Sequence, residues 1–182
     1  MNKQLMVLVS IVIMLSGCAA STRIEQAESA AQGNEIYPLT RNVRVDDVAG
    51  GGRAGRMQVA IIDSKDYKQA LQDSLSASGL LANDASGKYI LRTEILEVGQ
   101  PPSGVDMTVT SVVQYTLVQA SNGRELLKER ITAPFTSMLN DTHSVVERVN
   151  SAMAGSAASN IAQLIKKLNE LPVSKDELVL PK

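Results

Sequence analysis

Asp106-Met-Thr-Val-Thr-Ser-Val-Val-Gln-Tyr-Thr-Leu-Val-Gln119, then Ala120-Ser-Asn-Gly123, then Arg124-Glu-Leu-Leu-Lys-Glu-Arg-Ile-Thr-Ala-Pro-Phe135, is the stretch whose reading decides the fold. Its first segment alternates. Met107, Val109, Val113, Tyr115 and Leu117 fall on one phase, and Thr108, Thr110, Gln114 and Thr116 on the other. A period of two marks a strand with one buried face. Ser121-Asn122-Gly123 turns the chain, and Arg124 to Phe135 returns. A two-residue turn would set Leu117 against Lys128 and Tyr115 against Arg130, placing charge opposite the apolar face. A three-residue turn instead pairs Leu117 with Leu127, Val113 with Ile131 and Val109 with Phe135, and pairs Gln114 with Arg130 on the polar face. A slip of one residue would move every side chain to the other face, so the pattern selects the three-residue turn. Gly123 supplies the left-handed residue on which such a turn ends.

Upstream of the hairpin, Lys88 to Val98 reads as a strand with large residues on both phases, broken by Pro101-Pro102-Ser103-Gly104. Asn42 to Val48 alternates as a half-buried strand, with Val43, Val45 and, less cleanly, Val48 on one phase. A glycine-rich loop, Gly50 to Arg56, follows, and then a short apolar run, Met57 to Ile62, suited to another strand. Asp63-Ser64 offers an N-cap to a helix with Asp66 in its first turn, where the helix dipole favours acids. Tyr67, Ala70, Leu71, Ser74, Leu75 and Ser78 share one face of that helix, and Gly79 stops it. Downstream, Ser144 and Glu147 make a capping box. Val146, Val149, Met153, Ala157, Asn160, Ile161, Leu164 and Leu168 continue from it as a long helical stripe, narrowed by Ala152, Ala154, Gly155, Ser156 and Ala158 so that it packs close to a sheet. Leu171-Pro172 ends it. The sum is an α/β chain of the α+β type. It reads as a two-layer sandwich: a mixed, mostly antiparallel sheet of about five strands, with two helices on one face and an open Thr- and Gln-rich face.

The N-terminus carries a different kind of signal. Asn2 and Lys3 are followed by an apolar run from Leu5 to Leu15 and then by Ser16, Gly17 and Cys18. A basic start, a short apolar core and a small-residue cleavage site make a secretory signal peptide, and the run is shorter than the roughly 20 residues a bilayer span needs. Leu15-Ser16-Gly17-Cys18 resembles the lipobox of bacterial lipoproteins. That resemblance, confined to the leader, implies a diacylglycerol thioether on Cys18, cleavage before it and acylation of the freed amine, palmitate included. Ala19 and Ala20 follow where Asp would signal inner-membrane retention, so the resemblance further implies the outer membrane, periplasmic face. The expected organisation is a signal peptide over 1–17, an acylated N-terminus and flexible tether over 18–35, an α/β domain over 36–171 and a charged tail over 172–182. As a coil, the tether holds the domain roughly 20–25 Å from the membrane.

Composition narrows the function classes. Cys18 is the only cysteine, so once acylated it leaves no disulfide, no thiolate metal ligand and no Cys nucleophile. The full chain has 18 Lys and Arg against 19 Asp and Glu, and no basic run, so it lacks the electrostatic footprint of a nucleic-acid binder. With no Trp and one Phe, the core is expected to be aliphatic. His143 is the only histidine, so no multi-His metal site can form. Beside Asp141, Thr142 and Ser144 it reads as an exposed residue at a capped helix start; an anchored hydrolase using His143 is the competing reading. The Gly50–Arg56 loop reads as a connection, with lipid head groups or an acidic partner as alternatives, and lacks the Gly-Lys-Ser/Thr ending of a phosphate loop. Asp46-Asp47 reads as a solvated strand end. No cofactor, metal or catalytic set is expected.

Tyr67-Lys-Gln-Ala-Leu-Gln-Asp-Ser-Leu75 and Val146-Glu-Arg-Val149 are similar to motifs in small, largely uncharacterised envelope lipoproteins with a helix-on-sheet domain. The resemblance covers roughly residues 60–168 and implies no catalytic residues. Some members carry an acyltransferase name, but no hexapeptide repeat of the β-helix acyltransferases is present here. The expected function is a non-enzymatic binding or assembly component, anchored through acyl chains and joined to another envelope protein. Thr108, Thr110, Gln114, Thr116, Lys128 and Arg130, with Thr132, form the expected contact surface. A small-ligand or lipid-binding module is the alternative.

Overall fold

The computed structural model describes residues 39–51, 61–99, 106–141 and 144–171. The leader, Cys18, the tether, His143, the tail and most of the Gly50–Arg56 loop lie outside the described residues.

The elements run β1 (Val43–Gly50), α1 (Ser64–Ala77), β2 (Tyr89–Gly99), β3 (Met107–Gln119), β4 (Glu125–Ser137) and α2 (Val145–Asn169). They form one sheet in the order β1-β2-β3-β4. The β1–β2 pair is parallel and the other two are antiparallel, so β1-α1-β2 is a crossover unit followed by a meander. Both helices cover one face: α2 lies on β3 and β4, and α1 lies beside it over β1. This is the expected two-layer α+β architecture, with four strands among the described residues instead of five. Of the run read as a further strand, Met57 to Ala60 lies outside the described residues, and Ile61 and Ile62 are in no strand. Ile62, only 4% exposed, joins the core just before α1. A short apolar run reports burial but not the backbone form that achieves it.

The pairings inferred for the hairpin are present: Leu117 with Leu127, Val113 with Ile131, Val109 with Phe135, and Gln114 with Arg130. The turn that produces them differs from the expected one. Gln119 N–H donates to Arg124 C=O, so four residues, Ala120 to Gly123, form the loop. The register then shifts between Leu117 and Val118, which faces Glu125, leaving Leu126 as the extra residue of a bulge. A longer loop and one inserted residue restore the register that the apolar pattern demands. Gly123 has the expected left-handed φ of 73°.

A second bulge explains the imperfect alternation of β1. The register shifts between Val45 and Val48, leaving Asp46 and Asp47 exposed in mid-strand, not at a strand end. The strand continues to Gly50, where a Cβ would come within 2.1 Å of Ile95 O, so only glycine fits.

Asp63 caps α1, its carboxylate accepting from Lys65 and Asp66 N–H. Ser144 caps α2, accepting from Glu147 N–H at 3.4 Å. The core contains three of the four tyrosines, Tyr67, Tyr89 and Tyr115, so it is not the purely aliphatic core that composition suggested. The narrow middle of α2 meets the sheet closely, since a Cβ on Gly155 would lie 2.4 Å from the Phe135 ring. The stripe on α2 is buried from Val149 to Leu168, apart from the half-buried Met153, but Val146, assigned to it by spacing, lies one turn before the first buried stripe residue and is 68% exposed.

Candidate functional site

The residues of the expected contact surface come together. On the sheet face away from the helices, Thr116 lies between Arg92 and Lys128, Gln114 between Glu94 and Arg130, and Thr110 between Gly99 and Pro134. Val112 separates Glu97 from Thr132, and Thr108 faces Thr136. The β3 threonines and Gln114 are half-buried by their neighbours, while Lys128, Arg130 and Thr132 on the edge strand are exposed. Two side chains are already engaged. Gln114 Nε2 donates to Glu129 O at 2.9 Å, and the Thr108 and Thr136 hydroxyls share a bond of 2.8 Å. Arg92, Lys128 and Arg130 share the face with Glu94 and Glu97, so it offers hydrogen bonds and both charge signs without a dominant field.

The opposite face of β3 holds polar groups that the sequence reading did not single out. Ser111 lies on the apolar phase and is fully buried, as are Ser156 and Asn160 on α2. Ser156 Oγ accepts from Ser111 N–H at 2.8 Å and donates to Ala133 O at 2.7 Å, bridging two residues that sit opposite one another in the ladder. Asn160 Nδ2 donates to Ile131 O at 3.1 Å and Ser111 O at 3.2 Å. Its Oδ1 accepts from Tyr115 OH at 2.9 Å, and Tyr115 in turn shares a short hydrogen bond with Tyr67 of α1. Helix side chains are thus stitched into the strand ladder. Burial pushes both tyrosine hydroxyls above their ordinary pKa, so they stay neutral donors. The signals available were a serine breaking the apolar phase at Ser111 and an asparagine within the α2 stripe. Sealed from water, this network organises the fold and offers nothing to a substrate.

The residues around His143 have structural duties. Ser144 caps α2, and Asp141 Oδ2 accepts from Met138 N–H at 2.7 Å. Asp47 binds Lys68 at 2.6 Å, which lowers its pKa, and Asp46 Oδ1 accepts from Asp47 N–H. The two acids therefore do not form a coupled pair with separated environments. Among the described residues no three His, Cys, Asp or Glu side chains converge on a metal position, and no helix is long and apolar enough to cross a membrane.

A groove of about 190 Å³ opens between the start of α1 and the first turns of α2, lined by Ile61, Ile62, Asp63, Asp66, Asn150, Met153 and Ala154. Ile61 N–H donates to Met153 Sδ across it. Its volume is below the roughly 300 Å³ at which drug-sized ligand sites begin.

No family model matches this chain, and no curated protein matches it in sequence. Its fold is shared with solved structures. A Xanthomonas campestris protein of the DUF330 family superposes with a TM-score of 0.58, covering 80% of this chain and 93% of that one at 11% identity. A Caulobacter crescentus protein described as a candidate lipoprotein gives 0.50, covering 72% of this chain and 90% of that one at 14% identity. The likeness is one of fold, and the fold is found in bacterial proteins.

Proposed function

We propose that this chain is a lipid-anchored envelope lipoprotein that acts as a non-enzymatic binding or assembly component at the periplasmic face of the outer membrane. The observation that carries the reading is the box Leu15-Ser16-Gly17-Cys18 at the end of an apolar leader. Residues 1–17 are the leader, Cys18 carries the acyl chains, residues 18–35 are the tether, 36–171 the α/β domain and 172–182 a charged tail. The word lipoprotein in the description of the Caulobacter relative supports the reading. Three acyl chains hold stably where one gives only marginal binding. The outer sheet face, with Thr110, Thr116, Lys128 and Arg130, is then the contact surface for another envelope protein.

The small-ligand alternative calls for a cavity between helices and sheet. Among the described residues the groove between the two helices is too small for it. The hydrolase alternative requires loss of function in His143→Ala at a normal protein level.

Cys18→Ser is the test. Wild-type protein is expected to incorporate labelled palmitate and sediment with the outer membrane, and the variant to lose the label and leave the membrane fraction. Equal labelling and sedimentation of the two would overturn the assignment.

A further inference from the structure

Asn122-Gly123 is the only Asn-Gly pair in the sequence, and it lies in the loop that closes the β3–β4 hairpin. Such a pair carries a reaction of its own. The backbone nitrogen of the glycine attacks the asparagine Cγ, an N–Cγ bond forms, the Cγ–Nδ2 bond breaks, and Nδ2 leaves as ammonia. Water then opens the cyclic imide. Opening at Cγ leaves aspartate. Opening at the main-chain carbonyl leaves isoaspartate, whose backbone runs through Cβ and Cγ. Glycine favours ring closure because it has no Cβ to crowd the ring. Both residues are exposed here, and a Cβ built on Gly123 would meet nothing within 4 Å. Sterically the site is open.

The hydrogen bonds oppose the reaction. The attacking nitrogen must first give up its proton, and that proton is held, because Gly123 N–H donates to Gln119 O at 2.8 Å. The target is held too. Asn122 Oδ1 accepts from Arg124 N–H at 3.0 Å, which fixes the carboxamide. That second bond also draws electrons from Cγ, but with the nitrogen still protonated there is no nucleophile for it to assist. Gln119 N–H donates to Arg124 O at 2.9 Å and closes the loop at its base. Asn122 therefore reacts from states in which the loop has opened. Local opening is distinct from global unfolding and takes less free energy.

We propose that Asn122 is a self-modification site whose conversion to aspartate or isoaspartate the folded turn holds back, so that the mark accumulates on chains whose β3–β4 hairpin has opened. Conversion is not neutral for the turn. The isoaspartyl backbone is longer by one methylene between positions 122 and 123, so Gly123 N–H and Arg124 O no longer reach Gln119 together. Those bonds close the loop that, with the bulge at Leu126, delivers the register of the outer face. The inference is independent of acylation at Cys18 and of any partner.

Incubation of the full chain in detergent at mildly alkaline pH, beside the same chain in urea and a synthetic peptide of residues 117–127 in both buffers, tests it. Conversion is read by peptide mass mapping and by enzymatic methylation of isoaspartate. The native chain is expected to convert at Asn122 at least about tenfold more slowly than the peptide in the same buffer, and the chain in urea at the peptide's rate there. Hydrogen exchange is expected to show Gly123 N–H protected in the native chain by a similar factor. Asn122→Ser is expected to remove the isoaspartate signal formed in urea. Native conversion as fast as the peptide's, or faster, would overturn the proposal, since the bond from Arg124 would then outweigh the one from Gly123. So would slow native conversion with Gly123 N–H exchanging as fast as in the peptide, because the bond to Gln119 would not be the restraint. An isoaspartate signal that persists undiminished in Asn122→Ser would overturn it too.

Discussion

The two faces of β3 are both polar in part, and they treat their polar groups in opposite ways. Inward, Ser111 and Tyr115 are fully buried, and their hydrogen bonds are completed by Ser156, Asn160 and Tyr67. Outward, Thr110 and Thr116 stand beside the exposed Lys128 and Arg130 on a face that neither α1 nor α2 covers. The inner groups carry a desolvation cost that only a complete set of partners offsets, so they specify how α2 sits on the sheet. The outer groups remain hydrated and add little to stability, which leaves them available to recognise something else. A polar residue is therefore informative about function only after its burial and partners are known.

Breaking the inner set should cost most. Asn160→Ala removes the partner of Tyr115 OH, Ile131 O and Ser111 O and opens a cavity, so a loss of about 3 kcal/mol is expected in denaturant unfolding. A loss below 1 kcal/mol would mean that the network is dispensable. Gly155→Val should cost about 2 kcal/mol by overpacking against Phe135, and adding Phe135→Ala should restore part of it. Additive losses would show that the ring does not set the helix height. Tyr67→Phe should cost about 1 kcal/mol, because Tyr115 keeps its bond to Asn160.

One inner residue sharpens the comparison by changing the sign. Thr93 is 3% exposed, and its Oγ1 has no hydrogen-bond partner among the described residues. Thr93→Val should therefore stabilise the protein by about 0.5 kcal/mol, seen as a higher Tm. A loss of 1 kcal/mol or more would mean that the hydroxyl has a partner. On the outer face, Arg130→Ala should change stability by less than about 0.5 kcal/mol. A larger loss would make that face structural and weaken its reading as a contact surface.

The sequence carried the periodic part of this fold well. Alternation along β3 and β4 set the register, because an error of one residue would have inverted every side chain. It could not set the turn, since a three-residue loop and a four-residue loop with a bulge at Leu126 deliver the same apolar pairs. The bulge in β1 left a trace in the misplaced Val48, but alternation alone does not separate a bulge from a strand end. Ser111, Ser156 and Asn160 were invisible as a unit because they are distant in the chain and each looks like a small interruption of an apolar pattern. Val146 shows the converse. Its spacing placed it on the buried stripe, and only the extent of α1 and the sheet decides that the stripe outlasts the core. The surface residues Thr108 to Thr116 were legible as a group because they share one strand phase, and Lys128 and Arg130 joined them through the register.

Site-specific photo-crosslinking from positions 110 and 130, in cells where the chain is membrane-anchored, tests most directly whether the open face is the working surface of an anchored binder. The expected result is the same discrete envelope protein cross-linked from both positions, and its loss in the Cys18→Ser background. A diffuse set of neighbours from both positions, or the same product with the anchor removed, would contradict it.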